Sequence, residues 1–198
     1  MQPLTREYTM STARTSLTGR TAVFRYGVVS YAVFVATFLY LAGFIGNLFV
    51  PLALDGPPQV GLMEGLLTNL SLLGIFSLQH SVMARPALKR WLTRVIPPAA
   101  ERSTHVLASS RALMLTFLLR EPLSGVVWQI DNPLGQAIMW SAFGAGWLLV
   151  LVATFLINHF DLFGLRQVWL HLRARPYTTL RLATPWLYRQ TGSAIRAG

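Results

Sequence analysis

Two short stretches set ionisable side chains against long apolar runs. Gln79-His80-Ser81 is followed one turn later by Met83-Ala84-Arg85-Pro86. Asn158-His159-Phe160-Asp161 follows directly on an uncharged run. Imidazole ionises closest to neutral pH among the side chains, so His80 or His159 can take a proton from a weakly acidic substrate. The plainer reading is a pair of helix-end histidines bonded to neighbouring backbone. On a helix, His80 shares a face with Ala84, four residues on, with Arg85 about one position round. His159 and Asp161 are two apart and do not face each other on one helix. The candidate site is therefore His80 and His159 as proton handlers, with Gln79, Ser81, Arg85, Asn158 and Asp161 as polar neighbours. No metal is expected. The four histidines, at 80, 105, 159 and 171, lack zinc-type spacing, and there is no cysteine. Absence of cysteine also removes thiol nucleophiles and disulfide scaffolds. No phosphate-cradling glycine loop, Ser-His-Asp order or dinucleotide-binding fingerprint occurs.

The elements that position these residues are apolar spans. A bilayer core needs about 20 mostly apolar residues per helix. Residues 27–50 and 136–160 supply 24 and 25 residues without a fixed charge. Residues 62–84 form a third span, with Glu64 near one end and His80 near the other. The fourth, 104–122, is interrupted by Arg111, which snorkels, pairs with Glu64 or Glu121, or marks a segment that does not cross. Outside Arg111, Lys and Arg alternate 4, 0, 5, 1, 6 over the N-terminal arm (1–26), the three connections and the tail (161–198). The positive-inside rule then puts both termini and the second connection in the cytoplasm. His80 and His159 both end spans that exit on that side, so they are expected to approach each other. Residues 85–96 read as a short basic interfacial helix.

Composition agrees. The chain has 198 residues, is 53% hydrophobic and 12% charged, and has a mean hydropathy of +0.47. Soluble domains carry about 25% charge, and disordered chains few apolar residues. The net charge of +10 sits beside apolar spans, so a membrane surface accounts for it better than nucleic acid does. The expected fold is all-α, a multi-pass bundle of about four membrane helices in the lipid bilayer of a bacterial inner membrane.

Two longer strings extend the reading. One is Phe76-Ser-Leu-Gln-His-Ser-Val-Met-Ala-Arg-Pro86 with Lys89-Arg90-Trp91 and Pro97-Pro-Ala-Ala-Glu-Arg-Ser103. The other is Asn158-His-Phe-Asp-Leu-Phe-Gly-Leu-Arg-Gln-Val-Trp169 with Pro176-Tyr177 and Thr184-Pro-Trp-Leu-Tyr188. Both resemble the bacterial methanethiol S-methyltransferases, which are nurim-like membrane proteins. They are related to the NnrU proteins and more distantly to isoprenylcysteine carboxyl methyltransferases. The resemblance covers residues 27–189. It implies methyl transfer from S-adenosylmethionine to the small thiol methanethiol, giving dimethyl sulfide. Arg166 is then a candidate for the cofactor carboxylate or the thiolate. A second reading is a non-catalytic protein of the nurim or NnrU kind. Two departures stand out: Arg111 occupies a position that is usually apolar, and after Arg189 the chain diverges, with no Arg-His-Pro element. A shifted frame over the codons of residues 192–198 can encode such a string. A C-terminally truncated copy, lacking most of the cofactor site and inactive, is therefore expected.

Overall fold

The computed structural model describes residues 16–123 and 129–178. The first 15 residues, the stretch 124–128 and everything from 179 on lie outside them. The Thr184–Tyr188 motif and the divergence after Arg189 thus fall outside the described residues. Among the described residues seven α-helices and one short 3-10 helix (Pro98–Ala100) form, with no strand: α1 (Leu17–Gly46), α2 (Leu62–Ala84), α3 (Pro86–Leu92), α4 (Glu101–Leu119), α5 (Pro133–Ile157), α6 (His159–Leu162) and α7 (Leu165–Leu172).

Helix boundaries follow local chemistry. α1 starts ten residues before the apolar run because the Ser16 side chain caps it, accepting from the Gly19 N–H at 3.2 Å. Its polar first turns are helical without being apolar. At 30 residues it is about 45 Å long, more than a bilayer core requires. It ends at Asn47 in the left-handed region (φ 54°). α2 stops because Pro86 pushes Arg85 into extended backbone, and the same proline opens α3. Asn132 caps α5, accepting from the N–H groups of Leu134 and Gly135 at 2.8 and 3.3 Å. Asn158, at φ 97°, ends α5, and its side chain accepts from Asp161 N–H to start α6.

α1, α2 and α5 are long and apolar enough to cross a membrane. α4 is 19 residues long, about 28 Å, but more polar, and it packs between α1 and α2. The α1–α4 pair runs parallel. Tyr26 bonds Thr104 at one end, and Tyr40 and Phe44 meet Phe117 towards the other. α2 runs antiparallel to α4, with Asn69 near Glu121 and His80 near Ser109. α5 runs antiparallel to α1 through Phe38–Trp147 and Tyr31–His159. The result is an up-down-up-down bundle with α3, α6 and α7 at one end.

Buried positions on the parallel pair recur every seven residues: Ser30, Thr37 and Phe44 on α1, and Ser103, Ser110 and Phe117 on α4. Such a period gives a left-handed seam. Small residues let the backbones approach closely. Ser30 and Thr37 donate to the carbonyls four residues back, so their hydroxyls are satisfied without water. Arg111 lies on the opposite, exposed face of α4 with Leu115 and Leu118 and, among the described residues, forms no ion pair. Where α4 ends, the Asn69 amide donates to the Glu121 carbonyl (2.7 Å) and its oxygen accepts from the Glu121 N–H (2.9 Å).

α7 docks across the α1–α4 end. Val168 is fully buried, and a Cβ on Gly27 would lie 2.6 Å from it. Gly164, at φ 89°, opens α7, and a Cβ there would come within 2.9 Å of the Ser103 backbone nitrogen. Gly164→Ala should therefore destabilise the fold by about 2–4 kcal/mol, from left-handed strain plus overpacking. Gly144 meets nothing within 4 Å. Gly144→Ala, at an open position inside α5, should leave stability unchanged or raise it by up to about 1 kcal/mol. Thermal unfolding of the two variants in detergent checks the contrast.

Candidate functional site

Asp161 is the hub of the end layer. It is 8% exposed. Arg102, from α4, donates through Nη1 to its Oδ2 (3.1 Å) and its backbone carbonyl (2.7 Å). Arg166, from α7, donates to its Oδ1 at 3.1 Å and to the Thr178 carbonyl at 2.9 Å. The Gln167 amide donates to the Asp161 carbonyl, and the Tyr177 hydroxyl donates to Oδ2. The Arg166 guanidinium also stacks over the Tyr177 ring at 5.3 Å. Burial pushes the Tyr177 phenol above its ordinary pKa, and the nearby Asp161 charge adds to this.

His159, at 6% exposure, sits two residues before Asp161 but faces elsewhere. Its Nε2 is 2.7 Å from the Tyr31 hydroxyl and its Nδ1 is 2.8 Å from Thr154 Oγ1. The Phe155 ring stacks on the imidazole at 4.4 Å, and Phe160 and Phe163 meet it edge-on. Phe163 in turn stacks on Phe34 at 4.0 Å. The shell draws on α1, α5 and α6 at once.

His80 belongs to a second set. Its Nδ1 is 3.1 Å from Ser109 Oγ, and its ring lies 5.0 Å from that of His105 and 5.9 Å from that of Phe76. His80 is exposed, as are Ser81 and Arg85. Among the described residues the Gln79 amide reaches only Met83 Sδ, at 2.9 Å. Lys89 of α3 pairs with Glu101 at 3.6 Å, tying α3 to the start of α4.

The first turns of α4 thus carry both sets, with Arg102 turned to Asp161 and His105 and Ser109 turned to His80. No hydrogen bond or ring contact joins His80 to His159 among the described residues. Asn158 serves as a cap, and Arg166 as a partner of Asp161. Sequence reasoning missed Tyr31, Arg102, Thr154 and Tyr177, which act through contacts across up to 128 residues of sequence. Tyr31 lies within an apolar run, where only its hydroxyl sets it apart from its phenylalanine neighbours. Six buried polar atoms of this end have no partner among the described residues: Arg20 Nε, Gln79 Oε1, Ser103 Oγ, His105 Nε2, Gln167 Oε1 and His171 Nε2. Burial, and then the Arg20 charge, hold the His171 imidazole below its ordinary pKa. An apolar cleft at the other end, lined by Leu39, Gly43, Phe49 and Phe143 among others, carries no charged side chain.

Apolar helices of this length, the α1–α4 seam and an arginine-rich polar layer at one end define a helical, multi-pass membrane protein. The chain belongs to the methanethiol S-methyltransferase family. It is 50% identical over 187 residues to a methanethiol S-methyltransferase of Crocosphaera subtropica, covering 94% of this chain and 73% of that protein. It is 44% identical over 173 residues to one of Mycobacterium tuberculosis, covering 87% and 71%. Rat nurim is 29% identical over 122 residues, covering 56% of this chain and 44% of nurim. No family model and no solved structure matches the chain.

Asp161→Asn keeps the shape of the hub and leaves two guanidiniums without a counter-charge. Removing one partner of a buried pair costs about 3–5 kcal/mol. Here the arginine side chains are 35% and 25% exposed, and solvent screening lowers the expected loss to about 2 kcal/mol. Chemical or thermal unfolding of the variant in detergent measures it.

Proposed function

We propose that this chain is a methyltransferase that methylates methanethiol to dimethyl sulfide with S-adenosylmethionine as the methyl donor. Membership of a family whose relatives carry that name, over most of the chain, is the observation that supports the reading. The substrate is small and apolar, so it partitions into the bilayer and reaches a site between membrane helices. Its sulfur attacks as the thiolate, which needs a proton acceptor nearby. His80 and His159 are the two candidates. Thiolate formation is favoured by positive charge, and the end layer supplies it through Arg102 and Arg166.

S-adenosylmethionine, when bound, supplies a sulfonium methyl group and leaves as a neutral thioether. The polar atoms without partners fit its amino-acid end. The Arg20 guanidinium suits a carboxylate, and Gln167 Oε1 can accept from an ammonium. Arg166 is a further candidate for the carboxylate. Both of its contacts use Nη1, so its Nη2 and Nε are the donors a ligand can meet. Holding thiol and methyl in line is the larger part of what such a site contributes.

The divergence after Arg189 leads to the expectation of an inactive copy; on the methyltransferase reading, membranes carrying the chain, given methanethiol and S-adenosylmethionine, should instead release dimethyl sulfide into the headspace, and membranes lacking the chain should not. No product would sink that reading and favour either the inactive copy or a non-catalytic nurim-like role.

The orientation we infer is with the polar layer in the cytoplasm of a bacterial inner membrane. Arg20, Arg25, Arg85, Lys89, Arg90 and Arg94 collect at that end with the arginines around Asp161. The opposite end holds Arg120 against Asp55, Glu64, Glu121 and Asp131. Reporter fusions after Gly56 and Asn132 should read outside, and fusions after Arg94 and Arg175 inside. An outside signal at Arg94 would overturn this orientation.

A further inference from the structure

We infer that Tyr31 is the group that hands the substrate's proton to His159. This rests on the methyltransferase reading above. The hydrogen bonds around His159 decide its tautomer. Thr154 Oγ1 lies 2.7 Å from the Leu151 carbonyl, an acceptor, so the threonine hydroxyl spends its only proton there. Facing His159 Nδ1 at 2.8 Å, the same oxygen can then only accept. Nδ1 therefore carries the ring proton, and Nε2 presents its lone pair. The Tyr31 hydroxyl, 2.7 Å away, donates to that lone pair.

His159 is also closed to a substrate. It is 6% exposed, both ring nitrogens are engaged, and Phe155 covers a face of the ring. Phe160 and Phe163 close on it edge-on. A proton reaches Nε2 only through the atom bonded to it, and that atom is the Tyr31 oxygen. Tyr31 itself is partly exposed.

The relay balances. The thiol S–H bond breaks and its electron pair stays on sulfur. A lone pair on the Tyr31 oxygen takes that proton as the original Tyr31 proton moves to Nε2. Tyr31 ends neutral, His159 ends as the imidazolium, and the thiolate is left to attack the methyl group. Thr154 accepts from Nδ1–H throughout and keeps the ring in register. After transfer, the proton returns through Tyr31 to water. Tyr31 is then the residue that touches substrate, and Thr154 is a positioning residue.

Two measurements test this. Nitrogen-15 NMR of histidine-labelled protein in detergent should find the ring perturbed by Thr154→Val to be an Nδ1–H tautomer in the wild-type protein. An Nε2–H tautomer would overturn the relay whatever the enzyme activity. The second measurement is the rate of dimethyl sulfide release against pH for wild type and Tyr31→Phe, which keeps the ring and its packing. At neutral pH the variant should be slower by about a hundredfold, the scale of a lost general base. That deficit should close as the pH rises through the thiol's own ionisation, because the substrate then arrives as thiolate. A deficit that stays constant across pH, or no deficit, overturns the relay and leaves Tyr31 a packing residue. Wild-type membranes with no activity strike at the methyltransferase reading instead, a result visible before any variant is compared.

Discussion

A carboxylate held away from water between two guanidiniums must be anchored from several elements at once, and the end layer of this protein is organised around that requirement. Asp161 is shared by Arg102 of α4 and Arg166 of α7, and its backbone carbonyl is bonded by Arg102 and Gln167. The peptide units around it have little slack. Asn158 turns the chain in the left-handed region and caps α6, and Gly164 turns it again against the Ser103 backbone. The short helices α6 and α7 and the chain out to Tyr177 are thereby fixed to the parallel α1–α4 pair.

That pair is the other half of the framework. Lipid is as apolar as leucine, so helices in a membrane gain little from hiding leucine from it. Their association depends on close contact, and the α1–α4 seam has the small residues for it: Ser30, Thr37, Ser103 and Ser110. Apart from Phe44 and Phe117 at one end of the seam, most large apolar side chains point away from it. Those of α2 and α5, such as Leu67, Leu70, Leu148 and Leu149, are exposed in the isolated chain, as a lipid-facing surface must be. This inversion explains why α4 looks the least membrane-like of the four long helices. Its polar side chains face protein rather than lipid, with Arg111 the exception.

The same two features place the histidines. α5 ends where the left-handed turn at Asn158 swings His159 back towards α1, into a wall of Phe34, Phe155 and Phe163. A histidine at that depth needs both ring nitrogens satisfied, and Tyr31 and Thr154 do so from two different helices. His80, by contrast, lies on an exposed face of α2 with Ser109 and His105 for neighbours. The two imidazoles therefore differ in what can reach them, one enclosed and linked outward through a phenol, the other open.

Much of the framework was legible in the chain itself. Length and apolarity of residues 27–50, 62–84 and 136–160 mark helices, because a bilayer leaves the backbone few other ways to satisfy its hydrogen bonds. Pro86, Pro97-Pro98 and Asn132-Pro133 punctuate them for reasons local to the backbone. The two polar strings around His80 and His159 stood out because ionisable groups are rare beside such spans. What local sequence cannot carry is partnership. Tyr31 looks like one more aromatic residue in an apolar helix until the turn at Asn158 brings His159 to it across 128 residues. Arg102 and Arg166 look like surface cations until both meet Asp161. Spacing along the chain determined which faces were apolar and where helices stop. Only the tertiary structure decided which polar atoms share a hydrogen bond, because a hydrogen bond is set by ångström distances between helices, and sequence spacing constrains those distances only within a single one.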